Sequence, residues 1–177
     1  MEKKLSSELI YDGKIIKVYK DQVEVDNGNI AIREVVRHHG GVGILAVRNN
    51  KIILVQQYRY PNDTMTLEIP AGKLELGEEE ENCALRELEE ETGYSAKSIH
   101  QISKFLPTPG YCDEWLYIYE AMDVFKVENP LSCDEDENID VIELDLNEAY
   151  RKVVDGTIFD AKTVIAIMHA YINKRLF

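Results

Sequence analysis

The sequence predicts an α/β protein, and three observations carry that prediction. Residues 14–69 alternate short β-forming runs with hairpin turns, residues 78–92 have the period and terminal glycine of a helix, and two capped helical segments close the chain after further strands. Ile15, Val18, Val23 and Val25 are β-formers, and Asp26-Asn27-Gly28-Asn29 is a turn leading into a strand over residues 30–36. That strand ends at His38-His39-Gly40-Gly41. Residues 42–47 and 51–57 form a second, mostly apolar hairpin through Arg48-Asn49-Asn50. Residues 66–69 are a short strand closed by Pro70-Ala71-Gly72. The helix over 78–92 stops at Gly93, where glycine accepts a left-handed cap. Strands follow over 98–105 and 115–121, joined by Pro107-Thr108-Pro109-Gly110, and over 141–144 after an acidic loop at 134–137. Asp145 with Glu148 resembles a capping box for a helix reaching Val154. Asp160 caps the last helix, whose apolar stripe is Val164, Ile165, Ile167, Met168, Tyr171 and Ile172. The one candidate boundary lies near residues 38–40, because the strands of residues 1–38 cannot bury both faces alone. Residues 1–38 are therefore expected to form a strand layer, and residues 39–177 the main domain.

Composition excludes several classes. A chain of 177 residues is long enough to bury a core without a disulfide or metal staple. The net charge of −13 and a pI near 4.7 argue against broad binding to nucleic acid or anionic membrane. No apolar run approaches the ~18 residues of a membrane span, and Met1-Glu2-Lys3-Lys4 leads into no signal segment. Cys83, Cys112 and Cys133 are odd in number and lack C-x-x-C spacing, which fits a reducing cytoplasm and gives no zinc site.

The acid is unevenly spread. Residues 78–91 hold eight glutamates in fourteen positions. On a helix, Ala84, Leu85, Leu88 and Thr92 share a core-facing arc, while Glu87, Glu90 and Glu91 share a separate one. Glu78–Glu81 suit the positive end of the helix dipole. Glu89, Glu90 and Glu91 crowd the negative end, with no Lys or Arg before Gly93. Each like-charge pair costs about 0.2–0.5 kcal/mol and each misplaced charge about 0.3–1 kcal/mol. Convergent carboxylates are also what a hard divalent cation takes. Helix geometry alone leaves both readings open, a metal site and a solvated acidic face.

Gly72, then Glu78, then Arg86-Glu87-Leu88-Glu89-Glu90-Glu91-Thr92-Gly93-Tyr94 resembles the Nudix box, G-x5-E-x7-R-E-U-x-E-E-x-G-U, with U a bulky apolar residue; every fixed position matches, and Tyr94 fills the last U. The resemblance implies the Nudix fold, an α/β/α sandwich around a mixed sheet, here with an N-terminal β-strand layer. Pro109, 15 residues past Tyr94, resembles the mark of the ADP-ribose pyrophosphatase subgroup, as do Gln57-Tyr58-Arg59 and Asp134-Glu135-Asp136-Glu137. The function implied is Mg²⁺-dependent hydrolysis of the ADP-ribose diphosphate to AMP and ribose 5-phosphate, with Mn²⁺ as a possible substitute. The alternatives are another nucleoside diphosphate derivative, such as an ADP-sugar or a dinucleotide, and a non-catalytic metal- or nucleotide-binding module. A complete R-E-x-x-E-E core argues against the last.

The resemblance assigns Glu87, Glu90 and Glu91 as metal ligands, with the Ala71 carbonyl as an addition. Arg86 is placed to orient them, since its planar fork suits carboxylates, and Glu78 to hold the loop against the helix. Arg33 and Arg59 are candidates for the diphosphate or terminal ribose, and Glu114 and Pro109 for substrate contact. Tyr19 and Tyr111 are candidates to sandwich adenine. The subgroup resemblance also implies a homodimer whose N-terminal strands cross between subunits. No nucleic acid or membrane partner is expected, and the expected compartment is the cytoplasm.

A metal-bound carboxylate is a poor base, because the cation lowers its pKa. The general base is therefore expected outside the helix, and residues 134–137 qualify; there the family resemblance implies Glu135 as base and Glu137 as a further metal contact. The pH–rate profiles of Glu135→Gln and Glu137→Gln test this. The base variant should lose kcat heavily and lose the acidic limb of the profile while keeping its Mg²⁺ dependence.

Overall fold

A computed structural model of the chain describes residues 1–133 and 138–176. They form two compact units, Met1–Gly40 with Phe105–Trp115, and Gly41–Lys104 with Leu116–Phe177. In the first, β1 (Lys3–Asp12), β2 (Lys17–Glu24) and β3 (Ile30–Arg37) make an antiparallel meander. The turn at 26–29 forms as expected, closed by Val25 N–H on the Asn29 carbonyl at 2.9 Å. Strand β1 has no separate signature in the sequence: all ten of its residues are exposed, so no burial period marks them. Only Asp21 and Val23 of this sheet are buried. The loop at 105–115 is held along β3 by Val36 N–H on the Tyr111 carbonyl (2.7 Å) and by Arg37 Nη1 on Asp113 Oδ2 (2.9 Å).

The second unit contains β4 (Gly41–Arg48), β5 (Lys51–Arg59), a 3-10 turn (Tyr60–Asn62), β6 (Thr64–Glu68), β7 (Ala71–Lys73), α1 (Glu80–Thr92), β8 (Tyr94–Ser95), β9 (Ser98–Phe105), β10 (Leu116–Met122), β11 (Phe125–Lys126), β12 (Ile139–Asp145), α2 (Leu146–Val154) and α3 (Ala161–Leu176). Its main sheet runs β12-β5-β4-β10-β9, with β6 beside β5 and β7 beside β4. Strands β4 and β10 are parallel and β4–β5, β5–β6, β4–β7 and β5–β12 antiparallel, so the sheet is mixed. The first six residues of β4 are buried, as a central strand covered on both faces requires. Val42, Ile44 and Ala46 pack on Cys83, Ala84 and Leu88 of α1. Gly43, between them, faces the other way, where an added Cβ would meet Ile69 and lie 3.8 Å from Lys162 Cδ of α3. Helices therefore cover both faces, giving the α/β/α layering.

Two helices differ in detail from expectation. Helix α1 begins at Glu80 rather than 78, because Glu78 closes a turn through its N–H on the Glu75 carbonyl (3.1 Å). Its end at Gly93 is as expected: φ is 70°, and the Gly93 N–H reaches the Glu89 carbonyl at 2.8 Å. In α3 only Ile167 of the expected apolar stripe is on the buried face. Lys162, Thr163, Ala166, Ile167 and Ala170 are buried, while Val164, Ile165 and Met168 are half-buried and Ile172 is exposed. Small residues bring this helix close to the sheet, and Lys162 and Thr163 are buried because they bond to it. Among the described residues, no helix is long and apolar enough to cross a membrane.

The cap of α2 is the Asp145 half of the expected box: its carboxylate accepts from Asn147 N–H (2.9 Å), Glu148 N–H (3.3 Å) and Asn50 Nδ2 (2.8 Å). Asp145→Ala should lower the stability measured by urea denaturation by about 1–2 kcal/mol without changing the m-value.

Candidate active site

The glutamates converge where the C-terminal half of α1 meets β7. Glu87 and Glu91 are not on a solvated face: they are only 9% and 5% exposed, one helical turn apart and on the same side as the core residues Ala84 and Leu88. Two groups hold the acids there. Arg86 donates from Nη1 to Glu87 Oε1 (2.7 Å) and Glu90 Oε2 (2.8 Å). It also donates from Nε and Nη2 to Glu78 at 2.9 and 3.0 Å. The Ala71 N–H donates to Glu91 Oε2 at 2.8 Å. Arg86 thus touches three of the box acids, and the like-charge cost read from the isolated helix is offset by one guanidinium. Its fork holds Glu78 far below the usual carboxylate range, at about 2, assisted by the Glu75 amide.

Gly72 is required by close approach. An added Cβ would lie 1.8 Å from the Glu87 carboxyl carbon and 1.9–2.3 Å from its oxygens. The carboxylate rests on the bare backbone of β7. Cys83 is fully buried, and its thiol donates to the Lys73 carbonyl at 3.4 Å. Burial first, then Glu78, pushes that thiol up to about 12, so it does not supply a thiolate at neutral pH.

Among the described residues, no three acidic, histidine or cysteine side chains form a preassembled metal cage. Arg86 instead bridges Glu87 and Glu90. The donor set nevertheless fits a hard divalent cation: clustered carboxylate oxygens and a glycine that keeps one of them against the backbone.

At the C-terminal end of α1, donors arrive from the segment 127–133. Val127 N–H reaches the Gly93 carbonyl (2.9 Å), Leu131 N–H reaches Glu89 Oε1 (3.2 Å), and the Cys133 thiol reaches the Glu90 carbonyl (2.8 Å). Glu135 and Glu137 lie outside the described residues.

The substrate candidates divide between the units. In the second, Arg59 forks onto Glu68 from Nε (2.7 Å) and Nη2 (2.6 Å), and Glu91 is among the acids that raise its pKa. In the first, Tyr19 and Tyr111 line one cavity of about 520 Å³ with Ile10, Val18, Val35 and Val36. Arg33 forks onto Glu2 at 3.0 and 2.5 Å. Glu114 Oε1 lies 3.3 Å from His38 Nδ1, and Pro109 is exposed in a turn where the Thr108 carbonyl accepts from Cys112 N–H at 3.0 Å.

Sequence reasoning missed the buried charges beside Arg59. Glu68 is 2% exposed and also accepts from Thr66 Oγ1 (2.6 Å) and Lys162 Nζ. Lys162 Nζ further bonds Asp160 Oδ2 at 3.0 Å. The signal available was a lysine in the first turn of a helix, where the dipole disfavours a cation.

Residues 37–165 match the NUDIX domain family, and residues 2–36 match the nucleoside diphosphate sugar hydrolase N-terminal domain. The chain belongs to the Nudix hydrolase family, whose members use divalent metal ions. It is 44% identical over 176 residues to an ADP-ribose pyrophosphatase of Bacillus subtilis (strain 168), covering 99% of this chain and 95% of that one. The same figures describe its likeness to a methanol dehydrogenase activator of Bacillus methanolicus. A crystal structure of an ADP compounds hydrolase superimposes with a TM-score of 0.84 at 22% identity, covering 98% of this chain and 95% of that one, which establishes the shared fold.

Because the atoms that a Gly72 side chain would strike are the tip of a flexible glutamate, Gly72→Ala should fold. It should also displace the Glu87 carboxylate. The expected result is a thermal midpoint within a few degrees of wild type and a loss of hydrolase activity of about 100-fold, a misplacement cost. Unchanged activity would show that Glu87 need not rest on β7.

Proposed function

We propose that this protein hydrolyses the diphosphate of ADP-ribose to AMP and ribose 5-phosphate with Mg²⁺ as its cation. The observation that carries the reading is the convergence of Glu87, Glu90 and Glu91 on Arg86 and the Ala71–Gly72 backbone. Substrate choice is supported by the full-length likeness to an enzyme named for ADP-ribose. Glu87, Glu90 and Glu91, with the Ala71 carbonyl, would hold the metal. When bound, the cation neutralises diphosphate charge and activates water. Arg86 keeps the three carboxylates in register, and Glu78 keeps Arg86 from swinging away. Arg59 meets the diphosphate, with Arg33, Glu114 and Pro109 as further substrate contacts and Tyr19 and Tyr111 as the adenine sandwich, a role supported by their shared cavity. Glu135 is the base and Glu137 an added metal contact.

A second reading, hydrolysis of another nucleoside diphosphate sugar, is favoured by the match of residues 2–36 to the N-terminal domain named for that class. A panel of ADP-ribose, ADP- and GDP-sugars and a nicotinamide dinucleotide, run with Mg²⁺ in ¹⁸O-labelled water, decides between them. The highest kcat/KM should fall on ADP-ribose, and the products identify the phosphorus attacked. Glu87→Gln and Glu91→Gln should each lower kcat by about 100-fold or more with the far-UV circular dichroism unchanged. Near-normal activity in either would sink the metal-site reading.

Residues 1–38 serve as a dimerisation layer on a Nudix domain of residues 39–177. The reading is supported by the apolar side chains Leu5, Leu9, Ile10, Ile30 and Ile32, exposed on one small sheet. Light scattering at micromolar concentration should give twice the chain mass; a fully active monomer would overturn this. Three free cysteines support a reducing cytoplasm as the compartment.

A further inference from the structure

The buried charges beneath Arg59 form one connected network. Glu68, near the end of β6, is almost fully buried yet binds two cations, Arg59 through a two-pronged fork and Lys162 through Nζ. Lys162 is itself buried and bonds Asp160, whose carboxylate also accepts from Thr163 N–H (3.0 Å) and Thr163 Oγ1 (2.6 Å). Thr163 Oγ1 in turn accepts from Ile69 N–H at 2.8 Å. Two residues further along, Ala71 N–H holds Glu91. A continuous path of polar contacts and backbone therefore runs from Arg59 through the first turn of α3 to the strand on which the box glutamates rest.

Such a network is a poor device for stability alone. Buried ion pairs lose their hydration, and apolar residues of the same shape commonly serve as well. Two of its four charged members, Glu68 and Lys162, are buried, and a third, Asp160, is half-buried. The fourth, Arg59, keeps 41% of its side chain exposed. Glu68 takes Nε and Nη2, one whole edge of the guanidinium, and leaves the Nη1 end outside that pairing. A planar fork held along one edge has one orientation, which a lone carboxylate on a loose side chain would not enforce. Glu68 is held in turn: Lys162 and Thr66 occupy its remaining acceptor sites.

We propose that Glu68 and Lys162 are positioning residues for the substrate diphosphate, acting through Arg59, whose guanidinium they hold in a single orientation beside the box glutamates. The inference rests on the reading above, in which the protein cleaves a nucleoside diphosphate that Arg59 meets. It adds two residues, one of them on the C-terminal helix, that touch neither substrate nor metal.

The test is a comparison across two backgrounds. Glu68→Gln keeps the side-chain shape but loses the charge and the symmetrical fork. In the wild-type background it should lower kcat/KM on ADP-ribose by about 10- to 100-fold, chiefly through KM. In an Arg59→Lys background it should add less than about 3-fold, because lysine has no planar fork to orient. Calorimetric affinity for ADP-ribose without added metal should fall in parallel in the first background and not in the second. Equal losses in both backgrounds, or full activity of a folded Glu68→Gln protein, would overturn the proposal. If Glu68→Gln does not fold, Lys162→Arg, which keeps the charge and changes its reach, takes its place with the same two outcomes. If wild type cleaves another member of the panel and not ADP-ribose, the substrate reading fails alone, and the comparison is decided on that compound. If it cleaves none, both fall.

Discussion

One guanidinium makes the rest of the site possible. Arg86 reaches Glu78, Glu87 and Glu90 at 2.7–3.0 Å, and without it the end of α1 would gather acids that no helix dipole or basic neighbour offsets. The contact is local in sequence but global in effect. Glu78 lies outside the helix, so its pairing with Arg86 also fixes the turn between β7 and α1. That turn sets the distance from Gly72 to Glu87. The geometry of an acidic site in an acidic protein depends on where its few cations are spent, and here a single arginine serves three carboxylates at once.

The box was legible because its chemistry is compressed into 23 consecutive residues, where helical period and spacing put every acid in a known place. The hairpins, the Gly93 cap, the Asp145 cap and the central strand β4 were legible for the same reason, since each is specified by neighbours in sequence. Two things were not. Strand β1 has no buried residue, so alternation, which reports burial, had nothing to report. The buried face of α3 was legible at Ile167 and misread elsewhere, because hydrophobicity alone points to Val164, Ile165 and Met168, whereas Lys162 and Thr163 are drawn inward by their bonds to Glu68 and the Ile69 N–H.

That failure has a physical pattern. Long-range polar contacts have no period. Glu68 and Lys162 are 94 residues apart, and each alone reads as an ordinary surface charge. Only the fold turns them into a pair, at a place where the helix dipole would otherwise disfavour the lysine. The charges that a sequence makes look anomalous, whether misplaced on a helix or isolated in an apolar strand, are the ones that tertiary structure pairs.

The parallel pairing of β4 with β10 has a consequence for how the molecule assembles. Gly41 lies opposite Leu116 and Ala46 opposite Ala121, so the two central strands are joined across a span that contains the whole box. Closing so long a loop costs chain entropy before any contact offsets it, which places the step late in folding. On the ribosome, the strands and helix that carry the glutamates emerge before the strand that completes their core. Val42, Ile44 and Leu88, all buried in the finished molecule, are then exposed during synthesis, so the nascent chain is most open to wrong association before its site exists.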